Sequence, residues 1–583
     1  MPQMIKNKAF LRIAGFAIPF IVILPFLVSN FFFSVNFPFQ DDFLLIQFIE
    51  VISNGSIGFV GVVKELFRTF NDHKAVIPRL IALIEYSITG VLNFRFYIVL
   101  VSLNITYIFY FIYVQFRKTS LPAFYFLPAF FMFFHPLYHE ISGWALNGMQ
   151  HSFLIAFTVS AIALASRKTD LALAGAILCC FFATFTHGNG ILSFPAIVFY
   201  FLCIKDFKRA LLTIAGMFTA LFIYLIGYES GQAMRLPESL TVFLNCLLGF
   251  MGSVMAIFPQ PLLLSAVLGL VIVGILMFQL FKIVKNYFGP TIVFRAGMLE
   301  LLSLLVFVFI TGFVIATFRS WAGADSAMAS RFQIYSCISL VIVYIWLVNT
   351  VPLFRKNSTY AIVLGLSVFY WAYSYYSGSK TVGNKKTAYL ADVYNWEVNK
   401  NLFTVPRQLR DNASFYLDPA YQKGFFRLPE PVVSQKELDS LFTSTADASE
   451  DYQMFIDVLE IDRKENPEIG YDHYFYVVSN IMPKPKKFLT DRFAVFRNKE
   501  TGKIYLRNGD PKVESRKAIL TKFQYYKPGF NIHLRPDDLE SGNYEMAILD
   551  VEANGQKSFY KLDRSLQVQN KTVKEVFILR RRN

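Results

Sequence analysis

Acidic side chains are scarce in the first two thirds of this chain, and two of them are adjacent. Asp41 and Asp42 stand in Phe-Pro-Phe-Gln-Asp-Asp-Phe-Leu-Leu (37–45), just after a long apolar run. A carboxylate at mid-membrane costs roughly 2.5–3.5 kcal/mol and less near the interface. Two neighbouring carboxylates also hinder each other's ionisation, a device that yields general bases. The plainer reading is that the pair ends an apolar segment by staying hydrated.

Four further polar groups stand out. Asn71-Asp72-His73-Lys74 is followed by Pro78-Arg79, and a histidine beside a cation can orient a carboxylate or hold a phosphate; a solvated loop before a helix starting at the proline is the alternative. His135-Pro-Leu-Tyr-His139-Glu140 and Trp144 with Gln150-His151 form a second knot, which interfacial aromatics and histidines anchoring span ends would also explain. His187-Gly-Asn189-Gly190 is a polar turn, either plain or one whose glycines permit close backbone approach. Arg319 and Arg331 flank Ser-Trp-Ala-Gly-Ala-Asp-Ser-Ala-Met-Ala-Ser, a placement suited to a phosphate or diphosphate held through paired donors; an internal pair with Asp325 or lipid phosphate would compensate them equally.

The elements that must gather these residues belong to a membrane protein. Of 583 residues, 55% are hydrophobic and 17% charged, against about 25% charged in soluble chains. Residues 1–379 hold 23 Lys/Arg and 13 Asp/Glu, whereas residues 380–583 hold 33 and 28. Lipid followed by water explains this division and excludes a soluble enzyme, a fibre and a disordered chain. Most of the net charge of +15 lies in short gaps between apolar runs of the first part, and no nucleic-acid motif accompanies it, so nucleic acid is excluded as a partner. All five cysteines lie in apolar runs, without a disulfide framework or metal-ligand spacing.

Apolar spans are predicted near 13–35, 95–116, 121–137, 149–166, 170–187, 191–204, 210–228, 262–281, 297–318, 332–350 and 359–376, eleven in all. The first follows Lys6, Lys8 and Arg12 and is too long for a signal peptide, so it reads as a retained span. With eleven spans the basic gaps Arg117/Lys118, Arg167/Lys168, Lys205/Lys208/Arg209, Lys282/Lys285/Arg295 and Arg355/Lys356 share the side of the N-terminus. The positive-inside rule makes that side cytoplasmic and the C-terminal part extracytoplasmic. The polar groups then all face outward, and the cytoplasmic gaps carry little but topology signals. Phe59–Phe70, Val76–Leu92 and Leu240–Phe258 read as helices lying in the outer interface or dipping partly inward.

The expected fold class is a polytopic α-helical membrane protein with a C-terminal extracytoplasmic soluble domain of α+β or β-sandwich type. Residues 1–379 form its membrane domain with a long first outer loop at 36–94, 380–476 a mixed subdomain with a helix around Tyr389–Phe403, and 477–583 a small β-rich domain. The latter contains hairpins at Phe493–Arg497/Lys503–Arg507 and Tyr544–Val551/Lys557–Leu562.

Together these features resemble the GT-C superfamily of polytopic glycosyltransferases, which take sugars from polyprenyl-phosphate carriers on the extracytoplasmic face. There the first outer loop is long, holds amphipathic helices and carries an acidic motif soon after the first span, as Asp41-Asp42 and Phe59–Phe70 do here. Asn-Asp-His-Lys-Ala-Val-Ile-Pro-Arg-Leu (71–80) looks like an Asn-Glu-His-Arg…Pro-Arg-Leu pattern of bacterial members, with Asp72 and Lys74 as departures, and Ser330-Arg331-Phe332 looks like a Ser-Arg-Tyr element. The resemblance implies a bacterial inner-membrane enzyme that moves a sugar, with inversion, from a polyprenyl-phosphate donor to a glycan, lipid or protein acceptor. It implies Asp41 or Asp42 as general base and His73 as its orienting partner. Arg319 and Arg331 would hold the phosphate leaving group, assisted by Lys74 or Arg79, and Glu140, Gln150, His151, His187 and Asn189 would line the substrate site. Some members hold a divalent cation at the acidic motif, although no clear ligand set is visible here.

Two other classes compete. A transporter or flippase of a lipid-linked or anionic substrate would place charges along a path open from both sides, and a scaffold displaying the β domain would not need polar knots at several span ends.

Overall fold

Prolines and glycines decide where the apolar runs become helices long enough to cross a bilayer. The computed structural model describes residues 8–69, 73–229, 235–287, 289, 294–444, 456–461, 474–479, 485–534, 538–568 and 578–581. It divides into two compact units, one of residues 1–34 and 41–378, the other of residues 35–40 and 379–583. The Asp72 of the 71–80 motif lies outside the described residues.

The first unit is helical. Among the described residues six helices are long and apolar enough to span a membrane: Phe94–Arg117, Ala145–Ala165, Phe207–Leu225, Pro261–Asn286, Met298–Ala322 and Ser330–Thr350. Six rather than eleven is a correction with identifiable causes. The run at 121–137 breaks into a 3-10 turn at Ala123–Phe126, a helix at Leu127–Phe133 and a turn at Pro136–Tyr138, because Pro122, Pro128 and Pro136 each lack the N–H that a continuing helix requires. Asp170–Thr184 has only 15 residues and Ser193–Cys203 only 11, less than the roughly 20 needed to cross a hydrocarbon core. The first helix, Lys8–Phe32, contains Pro19 and Pro25, and its Pro19–Phe32 portion is a shorter apolar helix. The run at 359–376 lies inside a 43-residue helix, Asn357–Asn399. That helix also absorbs most of the helix expected at 389–403, since no proline interrupts it.

Leu240–Met251 packs against Pro261–Asn286 at two glycines. A Cβ on Gly252 would meet the Ser265 carbonyl oxygen at 2.0 Å, and one on Gly269 the Leu248 carbonyl oxygen at 2.0 Å. Such close backbone contact is how helices associate where burial of apolar area gives no preference for protein over lipid. Val76–Thr89 and Phe59–Phe67 are separate short helices, the latter with Phe59 and Val60 well exposed.

The second unit contains two antiparallel sheets, ordered β1-β2-β6-β5 and β4-β3-β7-β8-β9. The strands are β1 Ile456–Ile461, β2 Tyr474–Ser479, β3 Asp491–Asn498, β4 Ile504–Asn508, β5 Asp510–Val513, β6 Tyr526–Leu534, β7 Gly542–Val551, β8 Lys557–Val568 and β9 Ile578–Arg581. Both expected hairpins are present as β3–β4 and β7–β8. The sheet region begins earlier than residue 477, because β1 and β2 pair with one another and β2 with β6.

Alternation along the five-stranded sheet builds two cores. Phe496, Tyr544, Met546 and Ile548 face Phe530, Ile532 and Leu534 of the other sheet. Phe493, Val495, Ala547 and Leu549 face the opposite way, onto Tyr394, Leu438 and Phe442 of two helices. The segments expected as separate subdomains at 380–476 and 477–583 thus belong to one unit. Segment 35–40 joins it as well, with Phe37 buried and stacked on Tyr389 at 4.8 Å between ring centres.

Candidate functional site

Helix ends carry the chemistry of the first unit, because a helix leaves carbonyls unsatisfied at one terminus and N–H groups at the other. At one set of ends lie the basic gap residues. Lys118 pairs with Glu300 at 3.2 Å, Lys205 donates to the Gly289 carbonyl at 3.2 Å, and Arg295 donates to the Asn349 carbonyl. Arg319 and Arg331 lie at the ends of Met298–Arg319 and Ser330–Thr350 away from the Arg295–Asn349 contact, and His187 precedes Ser193–Cys203 at the end away from Lys205.

Two of the predicted site residues are brought together by a head-to-tail contact. The backbone N–H groups of Val76 and Ile77, at the start of one helix, donate to the Phe185 carbonyl just beyond the end of another, at 2.8 and 3.2 Å. That contact sets His73 against His187, with ring centres 3.9 Å apart. A Cβ on Gly188 would come within 3.0 Å of His73 Nδ1, and one on Gly190 within 1.9 Å of the Ala183 carbonyl oxygen. Gly190 is therefore required by close approach to backbone, while Gly188 sits tightly against the His73 side chain. His187 Nδ1 accepts the backbone N–H of Asn189 at 3.3 Å. Burial holds His187 well below its usual pKa, with the neighbouring His73, His151 and Arg319 adding to the effect, so the imidazole is neutral.

His151 continues the cluster. Its ring lies 5.0 Å from that of His187, and its Nδ1 is 2.9 Å from the Tyr335 hydroxyl. Arg319 and Arg331 are both within electrostatic reach of His151. Arg331 is tied to Glu140, whose Oε2 accepts the Arg331 backbone N–H at 3.1 Å and lies 3.9 Å from Nη1. The Ser330 hydroxyl accepts the Glu140 backbone N–H at 3.2 Å and sits 3.1 Å from His139 Nδ1. Asp325 is exposed, and Glu140 takes the place of the internal partner for Arg331.

Asp42 enters from the other side. It is 1% exposed, and its Oδ1 accepts the backbone N–H of Leu146 at 2.7 Å. Leu146 lies in the first turn of Ala145–Ala165, where the helix dipole and orphan N–H groups favour a carboxylate. The next residue, Asn147, donates from Nδ2 to the Glu140 carbonyl at 3.0 Å. One helix turn thereby positions Asp42 and Glu140 together. Asp41 is only partly buried. Gln150, on the same helix as His151, is also partly buried.

Lys74 and Arg79 serve a different purpose from the phosphate contact expected of them. Lys74 is 1% exposed; its Nζ donates to the Ile226 carbonyl at the end of Phe207–Leu225, and its backbone N–H donates to the Tyr224 hydroxyl at 3.3 Å. Arg79 is 2% exposed and donates from Nη1 to the carbonyls of Leu66 and Arg68, at the end of Phe59–Phe67. Both cations cap helix C-termini, where they satisfy orphan carbonyls and complement the dipole. Burial pulls the Lys74 pKa down and brings Arg79 to about 10. His135 is likewise structural: it is fully buried, with Nε2 3.1 Å from the Met132 carbonyl oxygen.

Tyr335 and Tyr224 are site residues that the sequence did not single out, and Ser330 entered only through the Ser-Arg-Phe element. A tyrosine inside an apolar run gives no signal until its neighbours are known. Among the described residues no three His, Cys, Asp or Glu side chains are grouped so as to hold a metal ion. No protein-family model, curated protein or solved structure matches the chain.

The arrangement has defined chemical capacities. Two arginines beside neutral imidazoles can hold an anionic group through charge-assisted hydrogen bonds. A partly exposed carboxylate next to a fixed, buried one can accept a proton.

Proposed function

We propose that the protein is an inverting glycosyltransferase that moves a sugar from a polyprenyl-phosphate carrier to a glycan, lipid or protein acceptor on the extracytoplasmic face of a bacterial inner membrane. The observation that carries this reading is convergence: Asp42, Glu140, His151, His187, Arg319 and Arg331 are scattered along an apolar chain and meet at one set of helix ends. A lipid-linked anionic substrate needs that combination, cations for its phosphate and a base for the acceptor, reached from the bilayer.

In this mechanism Asp41 is the base and Asp42 its support. Asp42 is committed to the Leu146 N–H and buried, while Asp41 retains access to solvent. Asp41 takes the proton of the acceptor hydroxyl as its oxygen attacks the anomeric carbon, and the bond to the carrier phosphate oxygen breaks. Arg319 and Arg331 hold the negative charge that develops on that phosphate, an effect that preorganised cations supply without reorganisation. A single displacement inverts the anomeric centre.

Comparison of envelope glycans from wild-type and deletion strains by mass spectrometry tests the reading. Loss of one sugar from one glycan class, restored by the wild-type gene but not by Asp41→Asn, is the expected outcome. Unchanged glycans would remove it.

A further inference from the structure

The second unit presents an apolar and basic surface that the proposed transfer reaction does not use. Between β5 and β6 the chain makes a short helix, Arg516–Lys522, closed at its base by the backbone N–H of Glu514 donating to the Tyr525 carbonyl at 2.9 Å. Ser515 caps its start by accepting the Ala518 N–H, and Phe523 ends it in the left-handed region at φ 51°. That conformation is unfavourable by roughly 1–2 kcal/mol for a residue with a Cβ. It holds the Phe523 ring 93% exposed, next to Leu520 at 77%. Phe488 and Leu489, at 45% and 46% exposure, extend the patch, with Phe488 packed edge-on against Tyr525 at 5.4 Å.

The surroundings are basic. Residues 512–527 contain Lys512, Arg516, Lys517, Lys522 and Lys527 against the single acid Glu514. Burial, and then the nearby Lys527, disfavour the charge on Lys512. Lys487 pairs with Glu552 at 2.6 Å and so adds little net charge. The patch also adjoins the point where the chain enters this unit: the Lys380 backbone N–H, one residue past Ser379, donates to the Tyr525 hydroxyl at 3.2 Å. The apolar half of the Asn357–Asn399 helix immediately precedes that point.

We infer that Leu520, Phe523, Phe488 and Leu489 insert into the interfacial layer of the bilayer, and that Arg516, Lys517, Lys522 and Lys527 contact anionic lipid head groups. Exposed large apolar side chains ringed by lysine and arginine are the composition that binds an anionic membrane surface. Charge complementarity, and the direct chain connection from an apolar helix to Lys380, favour lipid over a soluble protein or a second copy as the occupant.

The test uses the full chain in proteoliposomes, with a nitroxide label at Phe523→Cys or, separately, at Leu520→Cys, and Thr501→Cys in the β3–β4 turn as an aqueous reference. Of the native cysteines only Cys179 is less than fully buried, and the unsubstituted protein measures its background. In vesicles containing anionic phospholipid, both test labels are expected to become accessible to oxygen and shielded from a water-soluble nickel chelate, while the reference stays aqueous. Replacing Arg516, Lys517 and Lys522 with glutamine is expected to abolish the dependence on anionic lipid. Labels that stay aqueous in anionic vesicles, or that are shielded equally in detergent and only at high protein concentration, would overturn the inference. The latter result would point to self-association. Sugar transfer is not read in this experiment, so its outcome is separate from the catalytic proposal.

Discussion

Asp42 Oδ1 lies 2.7 Å from the amide nitrogen of Leu146, so this member of the acidic pair is held at a helix N-terminus and buried, whereas Asp41 is only partly buried. This difference gives the two carboxylates different mutational signatures. Asp41→Asn is expected to lower turnover about 10²–10⁴-fold, the range for loss of a general base, with a smaller loss of thermal stability than the buried Asp42 shows. Asp42→Asn is expected to destabilise by about 1–3 kcal/mol through the weakened charged hydrogen bond, with activity falling alongside. Equal stability losses in both variants, measured by thermal unfolding in detergent, would contradict the division of roles.

Arg79 caps Phe59–Phe67 through the Leu66 and Arg68 carbonyls and should behave as a structural residue. Arg79→Ala is expected to cost about 1–3 kcal/mol, since buried carbonyls lose a charged donor, and to leave the KM for donor unchanged in the protein that remains folded. A large rise in KM with full stability would return Arg79 to the phosphate site.

Arg331 and Arg319 are expected to differ from Arg79 in this respect. Arg331→Gln should raise the donor KM about ten- to a hundredfold, the value of one charge-assisted hydrogen bond. The effect should be smaller on a donor analogue lacking the phosphate. Identical losses on both donors would show that Arg331 acts through folding, for example through its contacts with Glu140.

His187 makes stability depend on acidity. Its pKa is held far below the ordinary 6.5 by burial, so the unfolded chain binds a proton that the folded one refuses. The stabilisation is complete above about pH 6.5 and declines as pH falls below that value toward the lowered folded pKa. Thermal unfolding from pH 7.5 to 5 should therefore show a decline that His187→Asn flattens. An unchanged slope in that variant would place the acid sensitivity elsewhere.

How much of this was legible in the residues varies with the range of the interaction. The scarcity of charge up to residue 379 marks the membrane portion because it is a sum over hundreds of positions. The hairpins at 491–508 and 542–568 follow from alternation and local turn chemistry. Span count was harder to read, because hydropathy does not see that Pro122, Pro128 and Pro136 divide one apolar run into pieces. Functional assignment from residue type was hardest. Lys74 and Arg79 have the charge of phosphate ligands, yet their partners are carbonyls of Ile226, Leu66 and Arg68, two of them local and one 152 positions away. The pairing of His73 with His187 depends on the Val76–Phe185 backbone contact, which no sequence pattern encodes.

Sugar transfer is measured by turnover of purified protein in proteoliposomes supplied with polyprenyl-phosphate-linked sugars and an extract of envelope acceptors. Release of free polyprenyl phosphate, a new glycosidic bond of inverted anomeric configuration by NMR, and loss of both with Asp41→Asn are the expected results. Movement of intact donor between leaflets without cleavage of its sugar–phosphate bond would contradict glycosyl transfer and identify a transporter.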